Sequence, residues 1–408
     1  MNCITLNYGA ADPLILECAA DALVADCRGP QGVTGDAARK VVTAALATPP
    51  EGPPLVSHVV PGDRVVIALA GNVPQEASVV AAVAGQLSAA GVRQEDMVVL
   101  QPPGAGVPPA AGDVGSAGRD APVRTVAFDP VAEAETAYLA ADEAGRPLYL
   151  ARSLVDADVV VAVGAWGFDA SLGGRSVDGE LWPTFSRLAC RHEISRQLAK
   201  KGRRALPGWR ESVQAITWQL GVCASLRIVA GRDASLGAAS FGLPETAARL
   251  ARVQAAGWSP EVEGNAALAI VTLAEPRGSF AAVTRAVAAA SRVTHPGGTI
   301  CVACRLAERP GIVFSRWRQG APLAPLVREA VGTADPAIIA DAVQTRLFAR
   351  ALGDRRVVLL SDLDEGVVEE LEFGHAATPE VIERLAHRSD RVIVLREADR
   401  MLPRITAD

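Results

Sequence analysis

The sequence predicts an α/β fold in two domains, and three observations carry that reading. Short runs rich in Val, Ile and Leu recur along the chain between Gly, Pro or Asp residues, at lengths that suit buried strands. Twice, such a run is followed by an Ala- and Val-rich stretch with helical spacing and then by a second run, the order of a right-handed βαβ unit. Residues 257–265 (GWSPEVEGN) separate a helical stretch from the second of these units. At 408 residues the chain can bury two or three cores, and the single strong boundary favours two domains, 1–262 and 263–408.

The first unit begins with the strand 64–70 (RVVIALA). Its helix, 78–90 (SVVAAVAGQLSAA), places Val80, Val83 and Leu87 on one face, with Ser78 at the N-terminal edge and Gly91 beyond the end. The strand 97–100 (MVVL) closes it. The Pro- and Gly-rich run 101–118 follows that strand directly, where α/β proteins build binding loops, and Asp113 is its sole ionisable side chain. Another strand spans 158–164 (DVVVAVG). The second unit consists of 268–273 (LAIVTL), a helix over 281–290 and the strand 299–304 (TICVAC), entered through a Pro-Gly-Gly turn. Strands at 357–361 (VVLLS) and 392–395 (VIVL) complete the set.

Composition excludes several function classes. The net charge of −6 is spread over interspersed acids and bases, with no basic stripe for nucleic acid and no polybasic segment for a membrane surface. No apolar run approaches the ~18 residues of a membrane span. The start, MNCITLNYGAADPL, lacks a basic segment before an apolar one, so no signal peptide is expected and a cytoplasmic location follows. The seven cysteines are scattered and read as reduced, buried thiols. Cys301 and Cys304 form a C-x-x-C within a strand-like run, where alternation turns them to opposite faces and favours packing over metal or redox work. The segment 29–35 (GPQGVTG) lacks the Lys-Ser/Thr ending of a phosphate loop and reads as a turn. The five histidines never pair at ligand spacing, and His192 alone is kept as a candidate, on a helix following the loop 164–183.

That loop, GAWGFDASLGGRSVDGELWP, leaves a buried strand and carries glycines suited to an active site. Its charged residues are Asp169, Arg175, Asp178 and Glu180. Together with 45–55 (ALATPPEGPPL), 61–70 (PGDRVVIALA), 89–92 (AAGV), 156–164 (DADVVVAVG), 300–311 (ICVACRLAERPG) and 357–363 (VVLLSDL), it resembles the nickel-pincer lactate racemase family, the LarA-like proteins, along most of the chain. The resemblance implies a larger N-terminal and a smaller C-terminal α/β domain with an interdomain cleft. In the family that cleft racemises a 2-hydroxy acid. A lysine there anchors a pyridinium-derived nucleotide, one histidine completes the nickel coordination, and two more exchange protons while the pincer moves hydride.

Carried over residue by residue, these roles find few side chains here. With 181–183 (LWP) on the family's Leu-Pro, the anchoring lysine falls on Gly179 and the loop histidine on Asp169. The chain has three lysines, Lys40, Lys200 and Lys201, none in the loop. The family's Thr-Gly-Thr-His falls on 102–106 (PPGAG), and its Asp-Asp-x-Thr-Arg-Pro on 70–75 (AGNVPQ). Of its substrate-binding Gln-x-x-Lys, the Gln becomes Ala282 and the Lys becomes Arg285. No cofactor and no metal are therefore expected.

Three readings stand: a non-catalytic relative that binds a small carboxylate or a partner protein, a divergent isomerase acting on a 2-hydroxy acid or similar carboxylate, and a racemase whose motifs lie elsewhere. For the isomerase, Asp169 and His192 are the candidate catalytic groups and Arg285 and Arg175 the candidate substrate-binding ones; Arg285 is the anion-binding group for either of the first two readings. An Asp and an Arg in a glycine-rich loop are otherwise a solvated pair worth about 0–1 kcal/mol. Within 280–293 (FAAVTRAVAAASRV), Val283, Val287 and Ala290 form a helical face, and Arg285 projects about 200° away from Val283. Because this position coincides with the family's substrate lysine, the resemblance implies that Arg285 faces the cleft as its anion-binding group.

Overall fold

A computed structural model describes residues 2–11, 13–19, 21–104, 123–142, 145–333 and 335–406. Each apolar run singled out from the sequence is a strand, and these strands gather in two separate six-stranded sheets. The first has the order Leu236–Gly242, Ala224–Ala230, Val159–Trp166, Val65–Ala70, Met97–Gln101, Arg124–Ala127. Only Leu236–Gly242 runs antiparallel to its neighbour. The second has the order Gly374–His375, Arg356–Leu360, Thr294–Ala303, Ala266–Thr272, Val392–Leu395, Leu23–Cys27, and all its pairs are parallel. Every residue of Val65–Ala70 and of Val392–Leu395 is buried, as expected of parallel strands covered on both faces. No helix among the described residues is long and apolar enough to cross a membrane.

Both βαβ units form. Helix Glu76–Ala89 links Val65–Ala70 to Met97–Gln101, and helix Phe280–Ala290 links Ala266–Thr272 to Thr294–Ala303. The first helix starts earlier than Ser78 predicts: its cap is Gln75, in the left-handed region at φ 55°. The Gln75 side chain holds that conformation by accepting from the Gly35 N–H at 3.0 Å and donating to the Ala234 carbonyl at 3.1 Å. The expected Pro-Gly-Gly turn is instead part of the strand Thr294–Ala303, where a register shift opposite Ala266 and Leu268 and a φ of 79° at Gly297 absorb the extra residues. Cys301 and Cys304 are fully buried in different cores on the two faces of the second sheet, and burial pushes their thiols up to about 12 and about 11.

The N-terminal strands depart from the division at 262. Leu23–Cys27 pairs with Val392–Leu395 in the second sheet, and the hairpin Asn2–Leu6/Leu14–Cys18 shares a core with that sheet. Asp26 fixes the crossing by accepting from Arg396 at 2.8 and 3.0 Å. Strands Asn2–Leu6, Leu14–Cys18 and Leu23–Cys27 therefore belong with the second sheet, and the chain joins the first sheet as a strand at Val65–Ala70. The segment 29–35, expected as a turn, instead runs out to an antiparallel bridge between Val33 and Leu236 and opens helix Gly35–Ala47; a Cβ at Gly29 would overlap the Trp258 ring, and Gly32 lies against Ser235.

Candidate functional site

The topology of the two sheets makes one crevice. In the first sheet the chain leaves Val65–Ala70, adds Met97–Gln101 and Arg124–Ala127 on one side, then returns to lay Val159–Trp166 on the other. The second sheet repeats the pattern around Ala266–Thr272, with Val392–Leu395 on its far side. Loops leaving the carboxyl ends of strands diverge at such a switch point and leave a space between them. Here both switch points contribute to the same space. Loop 71–75 and the loop after Trp166 meet residues 274–279 and Ala398–Arg400 around a cavity of about 710 Å³. Trp166, Phe168 and Trp258 supply its apolar wall. The run 101–118, the other binding loop expected from the sequence, lies outside the described residues from 105 onward.

Arg285 lines this cleft, where the resemblance places it. Val283, Val287 and Ala290 are buried on the sheet side, whereas the Arg285 side chain is 30% exposed. Its Nη2 stands 3.9 Å from Asp399 Oδ2, too far for a hydrogen bond, so its donors are uncommitted among the described residues. Asp399 is only 8% exposed, and its other oxygen accepts from the Ala274 N–H at 2.8 Å. Burial pushes the Asp399 carboxyl above its ordinary value, and Arg285 opposes the rise. The second cation in the cleft, Arg400, bonds Glu397 at 3.1 Å. Glu397 in turn accepts from the Asp233 N–H at 2.8 Å, tying the second sheet's loop to the first.

The other candidates have different surroundings. Asp169 is buried and accepts from the Ser171 N–H at 2.8 Å, the Ser171 hydroxyl at 2.5 Å and the Leu172 N–H at 3.2 Å. Burial raises its carboxyl, while Ser171 and the charge of Arg285 pull it down. Arg175 is committed to Glu180. His192 sits on helix Leu188–Lys201 as expected, partly exposed, and does not line the cleft. Of the four, the structure brings Arg285 into the cleft and Asp169 within reach of its charge.

Sequence reasoning missed Asp399 and Arg400, which follow the strand Val392–Leu395 that it found but whose sheet neighbour it could not. It also missed Glu180 and Arg227, 7% and 6% exposed. Arg227 Nη2 donates to Glu180 Oε2 at 2.7 Å and Nη1 to the Gly179 carbonyl, so the loop is cross-linked to strand Ala224–Ala230. An arginine in the middle of ASLRIVA was the available signal: a buried guanidinium requires an acid.

The same cross-link holds the backbone at Gly179, onto which the resemblance would carry the family's lysine. Gly179 has φ 83°, and a Cβ there would overlap the Ala165 carbonyl oxygen and stand 3.0 Å from the Ala165 nitrogen. Position 179 has no room for a side chain unless the Ala165 strand moves. Among the described residues no group of three or more His, Cys, Asp or Glu is placed to hold a metal ion.

No family model and no curated protein matches the chain. By structure it is similar to the lactate racemase apoprotein from Thermoanaerobacterium thermosaccharolyticum, with a TM-score of 0.72 and 16% identity over 99% of this chain and 100% of that one. It is also similar to a protein from Thermotoga maritima, with a TM-score of 0.65 and 10% identity over 93% of this chain and 100% of that one. The two-sheet α/β architecture with its cleft is thus the fold of the lactate racemase apoprotein.

Proposed function

We propose that this chain is a lactate racemase-like protein whose cleft binds a small carboxylate through Arg285 and does not carry out nickel-pincer racemisation. The observation that carries the reading is the guanidinium of Arg285, which reaches the cavity with only a 3.9 Å ion partner. A planar fork with uncommitted donors suits a carboxylate. Asn72, Ser176 and Ser279 line the same cavity and can hydrogen-bond a ligand hydroxyl. The packing at Gly179 supports the second half of the reading, since no lysine can replace it without moving the Ala165 strand. A catalytic role would need Asp169 and His192 at the cleft, and neither is among its lining residues.

The test is calorimetric titration of D- and L-lactate into wild type and Arg285→Ala, with chiral chromatography of the same mixtures after incubation with the nickel-pincer nucleotide. The expected result is saturable binding that weakens at least about tenfold in the variant, since a charged hydrogen bond is worth about 1.5–3 kcal/mol. No interconversion of the enantiomers is expected. Racemisation, or binding unaffected by the substitution, would overturn the proposal.

A further inference from the structure

The walls of the cleft carry more acid than base. Among the described residues Asp178, Glu275 and Asp399 line it against Arg285 and Arg400. Glu397 already holds Arg400 at 3.1 Å, which leaves Arg285 as the cation open to a ligand. Two buried carboxylates act on that guanidinium: Asp399 faces it at 3.9 Å from the turn Ala398–Arg400, and Asp169 lies within reach of its charge from the loop after Trp166. Arg203, the other cation near Asp169, donates to the Ala170 and Ser171 carbonyls instead. The charged groups around Asp399 are thus Glu397 and Arg400 on its own turn, Arg285 on helix Phe280–Ala290, Glu275 beside the Ala274 N–H that it accepts and, beyond Arg285, Asp169.

A ligand carboxylate on Arg285 would be the third negative charge around one positive charge. Asp399, at 8% exposure, is screened little by water, so its repulsion of the newcomer is the strongest of the set. A proton relieves it. Burial already pushes the Asp399 carboxyl above its ordinary value, and Arg285 comes first among the groups that hold it down. A ligand anion that takes up the charge of Arg285 removes that restraint, and the protonated carboxyl gains a hydroxyl that can donate to the ligand.

We propose, on the reading that Arg285 receives the carboxylate, that Asp399 is the specificity-determining residue of the cleft: it admits a monocarboxylate together with a proton and excludes a dicarboxylate. The second carboxylate of a diacid would meet Asp178 and Glu275 on the remaining wall, while Arg400 stays with Glu397. Affinity is highest where Asp399 is protonated and is lost as pH rises through its folded-state value.

The test is calorimetric titration of L-lactate from about pH 5 to about pH 8, in paired buffers of different ionisation enthalpy that count the protons taken up. In wild type the affinity should fall about tenfold per pH unit across the range in which Asp399 loses its proton, with uptake there approaching about one proton per ligand. At neutral pH L-malate should bind at least about tenfold more weakly than lactate, and the malate monoamide that keeps the carboxylate beside the hydroxyl should bind like lactate. Asp399→Asn, which keeps an acceptor for the Ala274 N–H, should take up no proton, bind lactate equally across the range and narrow the gap between lactate and malate. Glu275→Gln, which removes an exposed acid from the same wall, should leave the uptake unchanged. Lactate binding by wild type without proton uptake at any pH, uptake persisting in Asp399→Asn, or malate bound as tightly as lactate would overturn this inference and leave Arg285 as the receptor. No binding of lactate by either protein at any pH would overturn both.

Discussion

Replacing Glu180 by Ala isolates the cross-link that holds the loop. In the folded chain the Glu180 carboxylate serves Arg175 and Arg227 together, and both it and Arg227 are nearly inaccessible. Its removal leaves the Arg227 guanidinium buried with the Gly179 carbonyl as its acceptor, while Arg227 Nε already lacks a partner. Arg175, 31% exposed, can turn its freed donor to water. The cost therefore comes chiefly from one stranded buried cation, about 3–5 kcal/mol. Glu180→Gln keeps an acceptor oxygen and should cost about 1.5–3 kcal/mol, the range for a hydrogen bond to a charged group. The double variant Glu180→Leu/Arg227→Met removes both charges and should recover most of the loss. Urea unfolding followed by far-ultraviolet circular dichroism reads these as shifts of midpoint at unchanged slope. A Glu180→Ala protein within about 1 kcal/mol of wild type, or a double variant no better than the single, would refute the reasoning.

Gly179→Ala should destabilise by at least about 1–3 kcal/mol through its positive φ alone, and by more through the overlap with Ala165; an unchanged melting temperature would remove the steric argument against a lysine there. Asp399, whose carboxyl burial raises above the ordinary 3.8, contributes stability that is fully present below that value and is lost as pH rises through the folded-state value. Asp169 acts with the same sign. Asp399→Asn, which retains an acceptor for the Ala274 N–H, should flatten the fall in stability just above pH 3.8, a comparison that denaturant midpoints at a series of pH values can make. The same substitution removes the anion facing Arg285, so lactate affinity at neutral pH should rise several-fold in calorimetry, and a weaker complex would contradict the charge assignment. Trp258→Ala should cost about 3–5 kcal/mol in thermal unfolding, because the ring is 2% exposed and its indole bonds the Ala230 carbonyl at 2.6 Å.

Much of the fold was legible because parallel strands buried on both faces have to be apolar throughout, and runs such as VVIALA and VIVL stand out for that reason. Leu23–Cys27 was not legible: Asp26 and a burial pattern without alternation disguise it, and its place beside Val392–Leu395 depends on a pairing nearly the whole chain apart. Ala224–Ala230 was hidden by Arg227, which reads as a surface residue until Glu180 is found against it. At the cleft, helical spacing turned Arg285 away from the sheet face, and only the resemblance to the family's substrate lysine pointed it into the cleft. Asp399 follows a strand that was found, but its proximity to Arg285 requires that strand to lie next to Ala266–Thr272, which no local pattern encodes. His192 was placed on the right helix, yet which face of that helix meets a cavity depends on packing with the neighbouring helices.

The central claim is that Arg285 is the carboxylate receptor of the cleft, and a crystal structure of the chain soaked with L-lactate tests it most directly. The account predicts a lactate carboxylate oxygen within about 3.2 Å of the Arg285 guanidinium, between Asp399 and the Trp166 wall. Lactate bound with its carboxylate on Arg400 or elsewhere in the cavity, and Arg285 still facing Asp399 alone, would contradict it.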